Sequence, residues 1–171
     1  MIILHPTFHP NFVQFLKEFN ETTDYFECHE VLEDYWKEVA PRQKDHPLAA
    51  LILMSTSMYH WRRGNITGAI KTMSTSNKRL IQTCDSTFFE TIDYEQILQA
   101  TTLSLELMQK ASAFQPFSIQ IKDSKLLTLV NKRKIENREA LDYLIHKHML
   151  RDRSEILEER EKSKKRRDDR C

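Results

Sequence analysis

Asp24 to Trp36 read DYFECHEVLEDYW, which sets Glu27, His29, Glu30 and Glu33 within two helical turns. At 3.6 residues per turn, His29 and Glu33 project from one helix face. Tyr25 and Trp36 fall toward the same side, so the imidazole and the carboxylate are expected to point at the apolar interior. Polar groups there need a partner. His29-Glu30-x-x-Glu33 matches in part the helical zinc pattern, in which residues i and i+4 bind metal and the residue after the first ligand is general base. In that reading His29 and Glu33 are ligands and Glu30 activates water. Glutamate replaces the usual second histidine. A third ligand is still required, and His60 is the first choice, with Asp24 and Glu27 as alternatives. Such a set suits zinc, manganese or iron. The competing expectation is structural. Glu30 and Glu33 pair with Arg62 and Arg63, His29 donates to a carbonyl, Trp36 fills the core, and the resulting network of Glu27, His29, Glu30, Glu33, Trp36, Arg62, Arg63 and Asn65 sets how two helices meet. Desolvation offsets most of the Coulomb gain of such a network.

The elements that would position these groups are helical. Two glycines and five prolines in 171 residues are too few for a turn-rich sheet protein. A first helix is predicted over Pro10–Phe19, with Phe12, Phe15, Leu16 and Phe19 on one stripe. Thr23 or Asp24 caps the motif helix, which runs to about Val39 before Pro41. Pro47 opens a helix that is apolar nearly all round, the mark of a central element. Gly64 fits the left-handed stop and Asn65 the next cap. Gly68 and Ala69 are read as small residues that let helices approach closely. A fourth helix reaches Thr83 through Ala69, Met73, Asn77, Leu80 and Ile81, and a fifth spans Tyr94–Ala113. Phe117, Ile119 and Ile121 alternate, which suits an extended segment over 114–122. From Asn131 a charged amphipathic helix is expected, with a stripe from Ile135 to Leu157 and a solvated tail after it. The expected fold is all-α: a compact multihelical bundle over 1–122, a helical extension over 123–161 and a charged tail over 162–171.

Composition narrows the partners. Net charge is +1, so bulk charge selects none. The KSKKRR run over 162–167 is flanked by acids and has no interleaved aromatic residues, which argues against nucleic-acid binding. Apolar runs are too short to span a membrane. Cys28, Cys84 and Cys171 lack paired spacing and read as free thiols of a cytoplasmic protein. Cys28 is weighed as a nucleophile and set aside, because adjacent helical residues diverge by about 100° from His29. His5, His9, His46, His146 and His148 receive no role.

Tyr25-Phe26-Glu27-x-His29-Glu30-x-x-Glu33-x-x-Trp36, an apolar helix, and then His60-x-Arg62-Arg63-Gly64-Asn65-x-x-Gly68-Ala69 resemble the bacterial and archaeal family of domain of unknown function 309. The resemblance covers about residues 10–84. It implies a helical bundle with a central helix, a loose label of metal-dependent hydrolase, and a polar set at Glu27, His29, Glu30, Glu33, His60, Arg62, Arg63 and Asn65. Where the family shows Leu-Ile-Gln in the central helix, this chain has Leu51-Ile52-Leu53. The expectation is a non-catalytic binding or assembly protein, with a partner or second copy on residues 135–157. The alternative is a metal-dependent hydrolase.

Overall fold

A computed structural model of the chain describes residues 4–135, 141–147, 162 and 165. Among them the regular structure is helical: α1 (Pro10–Lys17), α2 (Tyr25–Val39), α3 (Pro47–Arg62), α4 (Ile66–Gln82), α5 (Tyr94–Gln109), α6 (Ser124–Lys132) and α7 (Leu141–Ile145). Single-turn helices at Pro6–Phe8 and Thr87–Phe89 precede α1 and α5. The chain forms two compact units, Met1–Arg138 and Glu139–Cys171.

In the first unit α3 is the central helix and packs on both α2 and α4. It has no polar face, and Leu48, Ala50, Leu51, Met54, Met58 and Trp61 are buried along it. Helix α4 is tied to it by two buried serines: Ser57 Oγ donates to Ala69 O at 2.6 Å, and Ser76 Oγ of α4 donates to Ala50 O at 2.7 Å. These bonds satisfy hydroxyls that would otherwise be costly inside. The α1 stripe is buried as its spacing requires, with Phe12, Phe15 and Phe19 in successive ring contacts. Ile81 is the exception on α4. It is 54% exposed, because one residue beyond the buried Leu80 the helix has turned about 100° away.

Caps set the helix starts. Asp24 accepts from Glu27 N–H at 3.0 Å, and Asn65 from Gly68 N–H at 3.1 Å. Gly64 has φ 88, the left-handed stop between α3 and α4. The small size of Gly68 has a different reason from the one expected. A Cβ there would lie 2.6 Å from Asn65 Nδ2, so Gly68 makes room for the cap rather than for a neighbouring helix.

The 114–122 segment is an extended strap. Asn20 grips it with both ends of its amide: Nδ2 donates to Ile119 O at 3.0 Å, and Oδ1 accepts from Ile119 N–H at 2.8 Å. Gln96 does the same from another side, to Ser118 O and from Gln120 N–H. Ile92 and Ile121 form an isolated antiparallel bridge. Helix α6 follows the strap and packs on α1, with Leu126 and Val130 in the core and Arg133 donating to Gln14 Oε1 at 3.0 Å. It therefore belongs with the first unit, not with a helical extension that begins at residue 123. The 135–157 stripe lies mostly outside the described residues; within it Leu144 is buried and Leu141 exposed. The KSKKRR run, apart from Lys162 and Lys165, also lies outside them. Among the described residues no helix is long and apolar enough to cross a membrane.

Candidate functional site

Helix α2 buries Tyr25, Cys28, Val31, Leu32 and Tyr35. This face fixes where the polar motif residues can go. His29, Glu30 and Glu33 lie on the neighbouring strip, at the rim, with side chains 29%, 42% and 31% exposed. The expectation that His29 and Glu33 point into the apolar interior is therefore corrected. Residues 29 and 33 are each one step, about 100°, from the buried Cys28 and Leu32.

On the rim the three side chains converge. His29 Nδ1 stands 3.4 Å from Glu30 Oε1, and its Nε2 stands 3.3 Å from Glu33 Oε2. One donor atom from each residue lies within 4.8 Å of the others. The His29 Nδ1 atom is buried and makes no hydrogen bond of good geometry. Lys37, one turn after Glu33, holds Glu33 Oε1 at 3.0 Å. That hydrogen bond, followed by the carboxylate's charge, raises the Lys37 pKa.

Among the described residues, Glu30 and Glu33 are paired with His29 and Lys37, not with Arg62 and Arg63. Glu30 and Glu33 do not meet these arginines for a geometric reason. Helices α2 and α3 run antiparallel, so the end of α3 meets the start of α2. Arg62 Nη1 donates to Thr23 O at 2.8 Å and reaches Thr23 Oγ1 at 3.1 Å. Its guanidinium carbon lies 4.7 Å from the Tyr25 ring centre and 5.9 Å from that of Phe114. Glu33 is eight residues past Tyr25, about 12 Å farther along the axis. Arg63 lies 5.6 Å from the Tyr59 ring centre instead.

The remaining motif residues divide between caps and anchors. His60 Nδ1 is 3.3 Å from Asn65 Nδ2 and is not one of the three converging donors. Asp24 caps α2, and Glu27 supplies the capped N–H. Trp36 does not fill the core. It is half-buried and donates Nε1–H to Gln43 O at 2.9 Å, which fastens the loop before α3. Leu53 is half-buried on α3. Cys28 is fully buried, with Sγ 3.6 Å from Phe15 O. Burial and the nearby acids push its thiol up, which is the wrong direction for a nucleophile. Burial also holds the Tyr25 phenol far above its ordinary range, although the Arg62 guanidinium opposes the shift.

Sequence reasoning missed His5, His9 and His46, which begin helices, and Asn20 and Gln96, which grip the strap. Three repeated His-Pro pairs were the available signal for the first group.

A family model described as domain of unknown function (DUF309) matches residues 12–72. The chain is 35% identical over 167 residues to "Uncharacterized protein YpuF" of Bacillus subtilis (strain 168), a similarity covering 91% of this chain and 94% of that protein. No solved structure matches the chain.

Proposed function

We propose a binding role for this chain, which belongs to the family of domain of unknown function 309 (DUF309): His29, Glu30 and Glu33 take a divalent cation on the rim of α2. The observation that carries this reading is the approach of the three donor atoms to within 4.8 Å of one another. One imidazole and two carboxylates form a mixed nitrogen and oxygen set, suited to zinc, manganese or iron. The imidazole is not spent on a strong bond elsewhere, since His29 Nδ1 is buried without a hydrogen bond.

Binding is favoured over hydrolysis by the position of Glu30. In the helical zinc pattern the residue after the first ligand is held back as base. Here Glu30 Oε1 stands 3.4 Å from His29 and joins the donor set itself, while His60 lies apart from it. Free thiols at Cys28 and Cys84 support a reducing, cytoplasmic setting.

The test is elemental analysis of protein purified without chelator, loaded with zinc or manganese and dialysed. About one ion per chain is expected, lost in His29→Ala and in Glu33→Gln. Equal metal content in the parent and both variants would refute the site. Ester or phosphoester turnover by the loaded protein, abolished in Glu30→Gln, would replace binding with catalysis.

A further inference from the structure

Three histidines stand immediately before prolines: His5-Pro6, His9-Pro10 and His46-Pro47. Each proline is the first residue of a helical turn or helix and has no N–H. The next free N–H is one residue on, and in all three cases the histidine Nδ1 accepts it. The distances are 3.2 Å to Thr7, 3.1 Å to Asn11 and 3.1 Å to Leu48. Histidine thereby takes the place that serine, aspartate or asparagine usually holds.

The three caps are joined through aromatic rings. His9 stacks on Tyr35 with centroids 3.9 Å apart, and Tyr35 contacts Phe88 at 6.0 Å. His46 meets Phe88 edge-on at 5.4 Å. The Tyr35 hydroxyl donates to Pro6 O at 2.7 Å, between the His5 and His9 caps.

An imidazole accepting at Nδ1 carries its hydrogen on Nε2. Protonation adds a hydrogen to Nδ1, and the acceptor becomes a donor facing another donor. We propose that the three His-Pro caps form an acid-sensitive latch, which holds the starts of the Pro6–Phe8 turn, α1 and α3 while the imidazoles are neutral and releases them on protonation.

Carboxylates face two of the three rings. Glu90 Oε2 lies 3.2 Å from His5 Nε2, and Glu38 Oε2 lies 3.6 Å from His9 Nε2. Protonation ends the cap and turns each of these existing contacts into a charge-assisted pair. Asp45 is the charged neighbour of His46, where burial outweighs it and favours the neutral ring. Tyr35 presents a neutral phenol to His9. Thr7 Oγ1 faces His5 at 2.8 Å and also bonds Thr91 Oγ1 at 2.8 Å. Arg133, beside α1, is held by Gln14.

The experiment follows the full chain by NMR from about pH 8 to about pH 5, across the ordinary histidine range. Imidazole nitrogen shifts report the tautomer, and amide exchange reports the N–H groups of Thr7, Asn11 and Leu48. The expected result is the Nε2–H tautomer in all three rings at high pH. A loss of protection of roughly tenfold or more should then appear at all three amides by the acid end of the range, with Leu48 delayed by the burial of His46, while the aspartate-capped amides of Glu27 and Gln96 hold. A His5→Asn, His9→Asn, His46→Asn variant keeps acceptors that do not titrate and should be flat over the same range. An Nδ1–H tautomer, unchanged amides at low pH, or the same acid loss in the triple variant would overturn the latch. If the triple variant does not fold, the tautomers and amides of the parent chain decide alone.

Discussion

Arg62 donates to the main-chain oxygen of Thr23 at 2.8 Å, and Thr23 has left-handed backbone with φ 54. The side chain at the end of α3 thus fastens the residue just ahead of the α2 cap. A threonine in this conformation is strained by about 1–2 kcal/mol, and the bond to a cation helps to hold it there. The Tyr25 ring, 4.7 Å from the same guanidinium, adds a cation–π contact.

Arg62→Lys keeps the charge and loses the planar fork that serves Thr23 and Tyr25 at once. The variant should be less stable by about 1–3 kcal/mol in urea unfolding. A change below about 0.5 kcal/mol, the range of ordinary surface substitutions, would show that Arg62 does not dock the two helices.

Alkaline pH should weaken the fold through Tyr25 and Cys28. Burial raises both above their unfolded values, so the folded chain holds these protons more tightly than the unfolded chain. Their stabilising effect is complete below the unfolded pKa values. It is lost as pH rises past about 8.5 for the thiol and about 10 for the phenol. The urea midpoint should fall over that window, and Tyr25→Phe should flatten the upper part. Because the Tyr25 hydroxyl is buried without a hydrogen bond, that variant should be no less stable than the parent at neutral pH. A loss above about 1 kcal/mol would contradict this.

Much of the bundle was legible before the structure. The cap at Asp24, one of two positions the sequence offers with Thr23, the cap at Asn65, the stop at Gly64, the central place of α3 and the extended 114–122 strap all follow from local chemistry. The facing of α2 was harder. Tyr25, Phe26, Tyr35 and Trp36 put aromatic residues on two adjacent strips, and helical spacing alone does not rank them. Cys28 and Leu32 decide it, since they are the apolar residues between His29 and Glu33 and the first strip. The partner of Arg62 depended on axial register, which an antiparallel hairpin fixes only once its loop is built. The histidine caps escaped notice because imidazole is not a usual capping group.

Asn65 and Gly68 should show strong coupling. Gly68→Ala gains about 1 kcal/mol of helix propensity, yet its Cβ would meet Asn65 Nδ2 and cost a cap worth about the same. In an Asn65→Ala background the collision is gone, and Gly68→Ala should stabilise by about 1 kcal/mol. A double-mutant cycle that is additive within about 0.3 kcal/mol would count against this account.

Lys37→Ala removes the ammonium that competes for Glu33. If His29, Glu30 and Glu33 hold a divalent cation, zinc or manganese should bind several-fold more tightly to this variant in calorimetric titration. Weaker binding would mean that Lys37 orders the site instead of blocking it.

The amide grips of Asn20 and Gln96 have a consequence for the boundaries of the domain. The matched segment ends at residue 72, but Ile119, Leu126 and Val130 help to close the same interior. A chain cut to the matched segment would keep every residue of the α2 rim and lose α5, the strap and α6. Its Phe19 would lose the ring of Phe117, and its Tyr25 the ring of Phe114. The stretch recognised by descent is thus shorter than the stretch that must fold, and a fragment made to study the rim needs to run at least through Arg133.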